Sequence, residues 1–118
     1  MGELRKMMEI LQSKIHRAVV TDANINYEGS ITISADLIKL AGLYEYQKVL
    51  VVDINNGQRF ETYVIESAYQ NVICLNGATA RLVTVGDRVI IMAFSLVDRV
   101  PENYKPKIIV LDENNEVI

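Results

Sequence analysis

Only one cysteine and one histidine occur in the chain, and their scarcity closes off whole classes of chemistry. Cys74 has no second thiol for an intrachain disulfide, and one thiol with one imidazole cannot build a Cys-based zinc site, so no metal is expected. The cysteine lies in the apolar run Asn71-Val72-Ile73-Cys74-Leu75 and reads as a reduced core thiol. Cations are in deficit: 12 Lys and Arg face 15 Asp and Glu, a net charge of -3. Nucleic acid is therefore not an expected partner, because its phosphates need clustered Lys and Arg, although a single small anion remains open. Long apolar runs are missing as well. Met7-Met8-Glu9-Ile10-Leu11 is short and broken by charge, so the reading is of no signal peptide, no membrane span and a cytoplasmic protein. Repeats, low-complexity tracts and long linkers are also lacking. What is present is 118 residues that are 50% hydrophobic, enough for a single domain over 1–118 with a real core.

Residues Met1 to Arg5 read as a frayed lead-in, and Met7 to Val20 as a strand. Lys14 and His16 are two apart, so a strand projects both from one face and Ile15 from the other. Two cations on one face suit a carboxylate, and they equally suit a solvated face. Thr21-Asp22-Ala23-Asn24 is turn chemistry, and Ile31 and Ile33 alternate with Thr32 and Ser34 as a strand does. Ser34 or Asp36 can cap a short helix through Leu37, Ile38, Leu40 and Ala41 that stops at Gly42. Lys48 to Ile54 and Gln58 to Glu66 form a hairpin about Asn56-Gly57. Arg59 can grip a carboxylate with its planar fork, and the Tyr63 hydroxyl can donate a proton, while Thr62 points to the opposite face. Val72 to Leu75 is a further strand, and the small residues after Asn76 allow close backbone approach. Arg88 to Phe94 is apolar enough for a buried strand, Asp98 to Lys107 carries both prolines as an extended connection, and the tail after Ile108 has the look of a segment that pairs with another subunit.

Tyr27-Glu28-Gly29-Ser30 carries the sharpest chemistry. Glycine adopts backbone angles that other residues resist, so a Gly-Ser bond can be held with the hydroxyl turned back on the preceding carbonyl. Attack by Ser30 on the Gly29 carbonyl, β-elimination and loss of ammonia would leave a pyruvoyl group on residue 30. A ketone of this kind accepts an amine substrate as a Schiff base. Gly-Ser is also an ordinary turn between strands.

Taken together, Lys14-Ile15-His16-Arg17, Tyr27 to Ser30, Asn56-Gly57 with Arg59-Phe60-Glu61-Thr62-Tyr63, Asn76-Gly77-Ala78 and Val85-Gly86-Asp87 resemble pyruvoyl-dependent aspartate 1-decarboxylase in order and spacing. The likeness runs from about Met7 to Ile109. The extra N-terminal residues, Ile31, Thr79 and the short C-terminal tail depart from the pattern. The resemblance implies a mainly β fold, a six-stranded double-psi β-barrel with short helices, assembled as a homotetramer whose active sites lie between subunits. It implies cleavage into 1–29 (β chain) and 30–118 (α chain), a covalent pyruvoyl cofactor from Ser30 with no PLP, and decarboxylation of L-aspartate to β-alanine and CO2 for pantothenate and coenzyme A biosynthesis. A maturation factor is a further partner to consider. By the same resemblance Tyr63 is the proton donor, Arg59, Lys14 and His16 hold the substrate, Thr62 and Asn76 assist cleavage and binding with Gly77 and Ala78, and Tyr27 supports the processed terminus. A pyruvoyl decarboxylase of another amino acid and a non-catalytic β-barrel module are the alternatives.

Overall fold

The structure, a computed structural model, describes residues 6–118; the lead-in read over Met1 to Arg5 lies outside them. The fold is mainly β, as expected. One mixed sheet runs in the order β2-β6-β3-β5-β4-β7-β1-β8, from β1 (Met8–Val19), β2 (Asp22–Asn24), β3 (Ser30–Ser34), β4 (Lys48–Asp53), β5 (Arg59–Ser67), β6 (Ile73–Asn76), β7 (Arg88–Val97) and β8 (Lys107–Val110). Eight strands thus stand among the described residues where six were expected, and no ladder closes β2 onto β8. The two short edge strands lie where the sequence suggested a turn and a closing segment. Asp-Ala-Asn carries no β-branched residue, and only its parallel pairing with Cys74 to Asn76 makes it a strand.

Alternation in the strands explains the core. Val49 and Val51 on β4, Val89, Ile91 and Ala93 on β7, and Ile31 and Ile33 on β3 are buried at every second position. On β1 the inward set passes from Ser13 and Ile15 to Ala18, because the register against β7 shifts between Ile15 and Ala18. Arg17 sits in that bulge at φ 66, and its carbonyl accepts a bond from Arg88 Nη1. The Arg88 to Phe94 run is buried on one face only. On the other face Ile90 and Met92 are half-buried, while Phe94 is 41% and Leu96 62% exposed.

Helix α1 spans Ala35–Ala41 and ends at Gly42, φ 68, whose N–H reaches Lys39 O. Ser34 occupies the N-cap position and makes no side-chain cap; its hydroxyl is taken by Val72, whose N–H donates to it at 2.6 Å. The Asn56-Gly57 hairpin forms as expected. The tail makes contacts within its own chain: Leu111 bridges Val117, and Ile118 N–H donates to Val110 O. No helix among the described residues is long and apolar enough to cross a membrane.

Candidate active site

β3 and β6 run antiparallel with Ser30 opposite Asn76 and Thr32 opposite Cys74. Period two therefore puts Ser30, Thr32, Cys74 and Asn76 on one face of this strand pair, while Ile31, Ile33, Ile73 and Leu75 fill the core on the other. Asn76 joins the polar face. Its Nδ2 donates to Ser30 Oγ and to Thr32 Oγ1, both at 2.9 Å, and its Oδ1 accepts from Cys74 Sγ at 3.2 Å. Ser30 Oγ donates in turn to Glu28 O at 3.0 Å, so the hydroxyl is turned back along the preceding chain. Ser30 is 0% and Asn76 3% exposed.

Gly77 shows why the chain can approach so closely. It has φ 68, and a Cβ there would stand 2.7 Å from both the N and the Cα of Gly29 and 3.0 Å from Tyr27 O. Only a glycine lets the 76–77 backbone lie against the Tyr27-Gly29 segment. After it, Gly77–Arg81 winds into a 3-10 turn, with Thr79 Oγ1 donating to Asn76 O at 2.7 Å. Ala78 is exposed on this turn. Tyr27 is 54% exposed and borders a cleft of about 400 Å³ with Thr32, Glu66, Tyr69 and Asn76. A groove of about 450 Å³ lies on another part of the sheet, among Glu9, Lys48, Glu61, Phe94 and Leu96, and none of the expected site residues lines it.

The remaining expected residues are distributed. β5 runs parallel to β3 with Val64 opposite Ile31, and Tyr63 and Thr62 fall one and two residues before this first paired position. Tyr63 packs near Tyr46, ring centroids 6.2 Å apart. Arg59 begins β5 and is exposed, four residues before Tyr63. Lys14 and His16 share one face of β1, as expected, but β5, β4 and β7 separate β1 from β3 in the sheet. No side-chain hydrogen bond or ion pair among the described residues links Lys14, His16, Arg59, Thr62 or Tyr63 to the Ser30 cluster. His16 Nδ1 is buried without a hydrogen-bond partner among the described residues, and burial, then Lys14, then Arg17, lower the imidazole pKa.

Two members of the site escaped sequence reading. Thr32 and Cys74 were assigned to a plain strand and to the core, yet each stands two residues from a recognised position on a strand, and that spacing was the available signal. Cys74 is half-buried, and burial with the Asp22 carboxylate pushes its thiol pKa up. No cluster of three or more His, Cys, Asp or Glu that could hold a metal occurs among the described residues.

Fold and site together define a small mainly β protein centred on a buried serine that follows a glycine at the head of a strand and is held by an asparagine amide. Residues 6–118 match the family model described as aspartate decarboxylase. A protein of Caldicellulosiruptor bescii named aspartate 1-decarboxylase is 57% identical over 113 residues, covering 94% of this chain and 88% of that one. One of Helicobacter pylori with the same name is 55% identical over 111 residues, covering 93% and 95%. Among solved structures, the crystal structure of the computationally designed msDPBB_sym2 protein aligns at TM-score 0.44 and 17% identity, covering 71% of this chain and 96% of that one. The chain belongs to the aspartate decarboxylase family.

Proposed function

We propose that this chain decarboxylates L-aspartate to β-alanine and CO2, using a carbonyl group that it makes from Ser30 by breaking its own Gly29–Ser30 bond. The single observation that carries the proposal is the Asn76-held Ser30 hydroxyl, buried and turned back toward Glu28 O against the Gly77 backbone. In the cleavage, Ser30 Oγ adds to the Gly29 carbonyl carbon, its proton passes to the Ser30 nitrogen, and the C–N bond breaks to leave an ester and a free amine. Removal of the residue-30 Cα proton then expels Gly29 as a carboxylate. Water replaces the nitrogen, which leaves as ammonia. Asn76 Nδ2 would hold the attacking oxygen and stabilise charge as the tetrahedral centre forms, with Thr62, two residues before Val64 on β5, assisting the acyl shift.

The residues fit the resulting group. A Cβ-free Gly77 leaves room beside Gly29, and Asn76 and Thr32 supply polar contacts on the same face. A pyruvoyl ketone supplies an electron sink for loss of the α-carboxylate. Tyr63, which precedes the partner of Ile31 on the neighbouring strand, is the proton donor to the decarboxylated carbon. Arg59 and Lys14 are the grip for the substrate carboxylates, with His16 beside Lys14. Because three strands separate β1 from β3 in the sheet, this grip is completed across subunits, in a homotetramer with its sites between protomers. The product feeds pantothenate and coenzyme A biosynthesis, and a maturation factor would act on the cleavage step.

Denaturing mass spectrometry of the purified, active protein tests the reading. Wild type should yield fragments 1–29 and 30–118, with the latter carrying the ketone, while Ser30→Ala should stay one inactive chain. The processed protein should prefer L-aspartate to L-asparagine in kcat/KM. An active wild type found only as the intact chain would overturn the cleavage reading. Equal use of the two amino acids would point to a decarboxylase of another substrate.

A further inference from the structure

We infer that Cys74 is a positioning residue: its thiol sets which end of the Asn76 amide faces the Gly29–Ser30 bond. This rests on the cleavage proposed above. The amide is close to symmetric in shape, so packing alone discriminates poorly between its two orientations, and hydrogen bonds must do so. On the site side, Nδ2 donates both hydrogens, to Ser30 Oγ and Thr32 Oγ1, each at 2.9 Å. The hydroxyls alone leave the alternative open, because Thr32 can donate or accept and Ser30 can turn its proton from Glu28 O to the amide. Settling it falls to the other end of the amide, where Cys74 Sγ donates to Oδ1 at 3.2 Å and is the one donor to that oxygen among the described residues.

The strand geometry makes this contact repeatable. Cys74 and Asn76 project from the same face of β6, directly opposite Thr32 and Ser30 on β3. The thiol is a donor as long as it keeps its proton, and burial together with Asp22 favours the protonated form at neutral pH. Turning the amide over would set an NH2 group against the thiol, a weak acceptor, and present Oδ1 to Ser30. The serine proton would then be drawn to Asn76 in place of Glu28 O, and no amide N–H would support the oxygen that attacks Gly29.

Wild type, Cys74→Ser, Cys74→Ala and Cys74→Val separate the donor from the packing of the side chain. Cleavage after purification is followed as the fraction of 118-residue chain by denaturing mass spectrometry, with circular dichroism and Tm as the fold control. Alanine and valine should slow cleavage roughly tenfold, the scale of one lost hydrogen bond acting through a neighbour, and serine should stay within about threefold of wild type. A purely packing role would instead rank the variants by side-chain volume and shape, with no advantage for the serine donor over alanine or valine. Valine replaces alanine as the readout if the alanine variant does not fold. Wild-type cleavage by Cys74→Ala, or cleavage of Cys74→Ser as slow as that of Cys74→Ala, would overturn the inference while leaving the cleavage reading in place. An active wild type that stays uncut would overturn both.

Discussion

Asp53 is the residue that most clearly obeys strand geometry against its own chemistry. It shares the inward face of β4 with Val49 and Val51 and is 0% exposed. Oδ1 accepts the N–H groups of Asn55 and Asn56 and so shapes the hairpin turn, while Oδ2 has no well-formed hydrogen bond among the described residues and lies near the Asp87 carboxyl. Burial first, and the nearby Asp87 carboxyl second, raise its pKa above the ordinary 3.8. A raised folded pKa means that the native state holds the proton more tightly than the unfolded chain. The resulting stabilisation is present below pH 3.8 and is lost as pH rises through the raised value. Asp53→Asn keeps the turn acceptor and removes the charge. It should raise Tm at pH 7 to 8, by about 4 °C for each kcal/mol recovered in a domain of this size, and the advantage should shrink toward pH 4. Thermal melts across this range check it; a pH-independent difference would place the effect in packing. Sequence reading passed over Asp53 because an acidic residue ending a β-branched run normally marks its solvent end.

At the scale of elements, the junction between the Tyr27-Gly29 segment and the 3-10 turn decides whether the site can form. Gly77→Ala carries two costs: about 1 kcal/mol or more for a left-handed backbone at φ 68, and displacement of Gly29, whose N and Cα stand only 2.7 Å from the new Cβ. Cleavage should fall at least tenfold, with a lower Tm. Gly57→Ala is the control, since it meets the same kind of backbone penalty at φ 76 in open space and should leave cleavage unchanged. Mass spectra over time on both variants would check this, and equal slowing would show that general destabilisation is responsible. The hairpin, α1 and its Gly42 stop were legible in the sequence because local turn chemistry specifies them. β2 and the 3-10 turn were not, because each owes its form to a neighbour brought up from far along the chain.

Across the whole molecule, the chain is tied shut by its tail. Asn115 is 2% exposed; its Oδ1 accepts Val19 N–H at 2.7 Å and its Nδ2 donates to Val19 O at 2.9 Å and Asn71 O at 3.2 Å, linking the last turn to β1 and to the start of β6. Asn115→Ala would strand these backbone groups and should cost about 3 kcal/mol, a Tm drop on the order of 10 °C, measurable by calorimetry. A drop of less than about 2 °C would mean that water replaces the amide. The same scale governs the site. The sequence by itself determined the mainly β class, the hairpin, the Gly29-Ser30 junction and the candidacy of Asn76 and Gly77, because turn residues, alternation and motif spacing are local properties of the chain. Only the tertiary structure decided that Thr32 and Cys74 flank Asn76, that Asp53 is buried, and that three strands of the sheet separate Lys14 and His16 from Ser30. The physical reason is that strand pairing joins residues more than forty positions apart, and it is register, which neighbouring residues alone do not specify, that chooses which of their side chains meet.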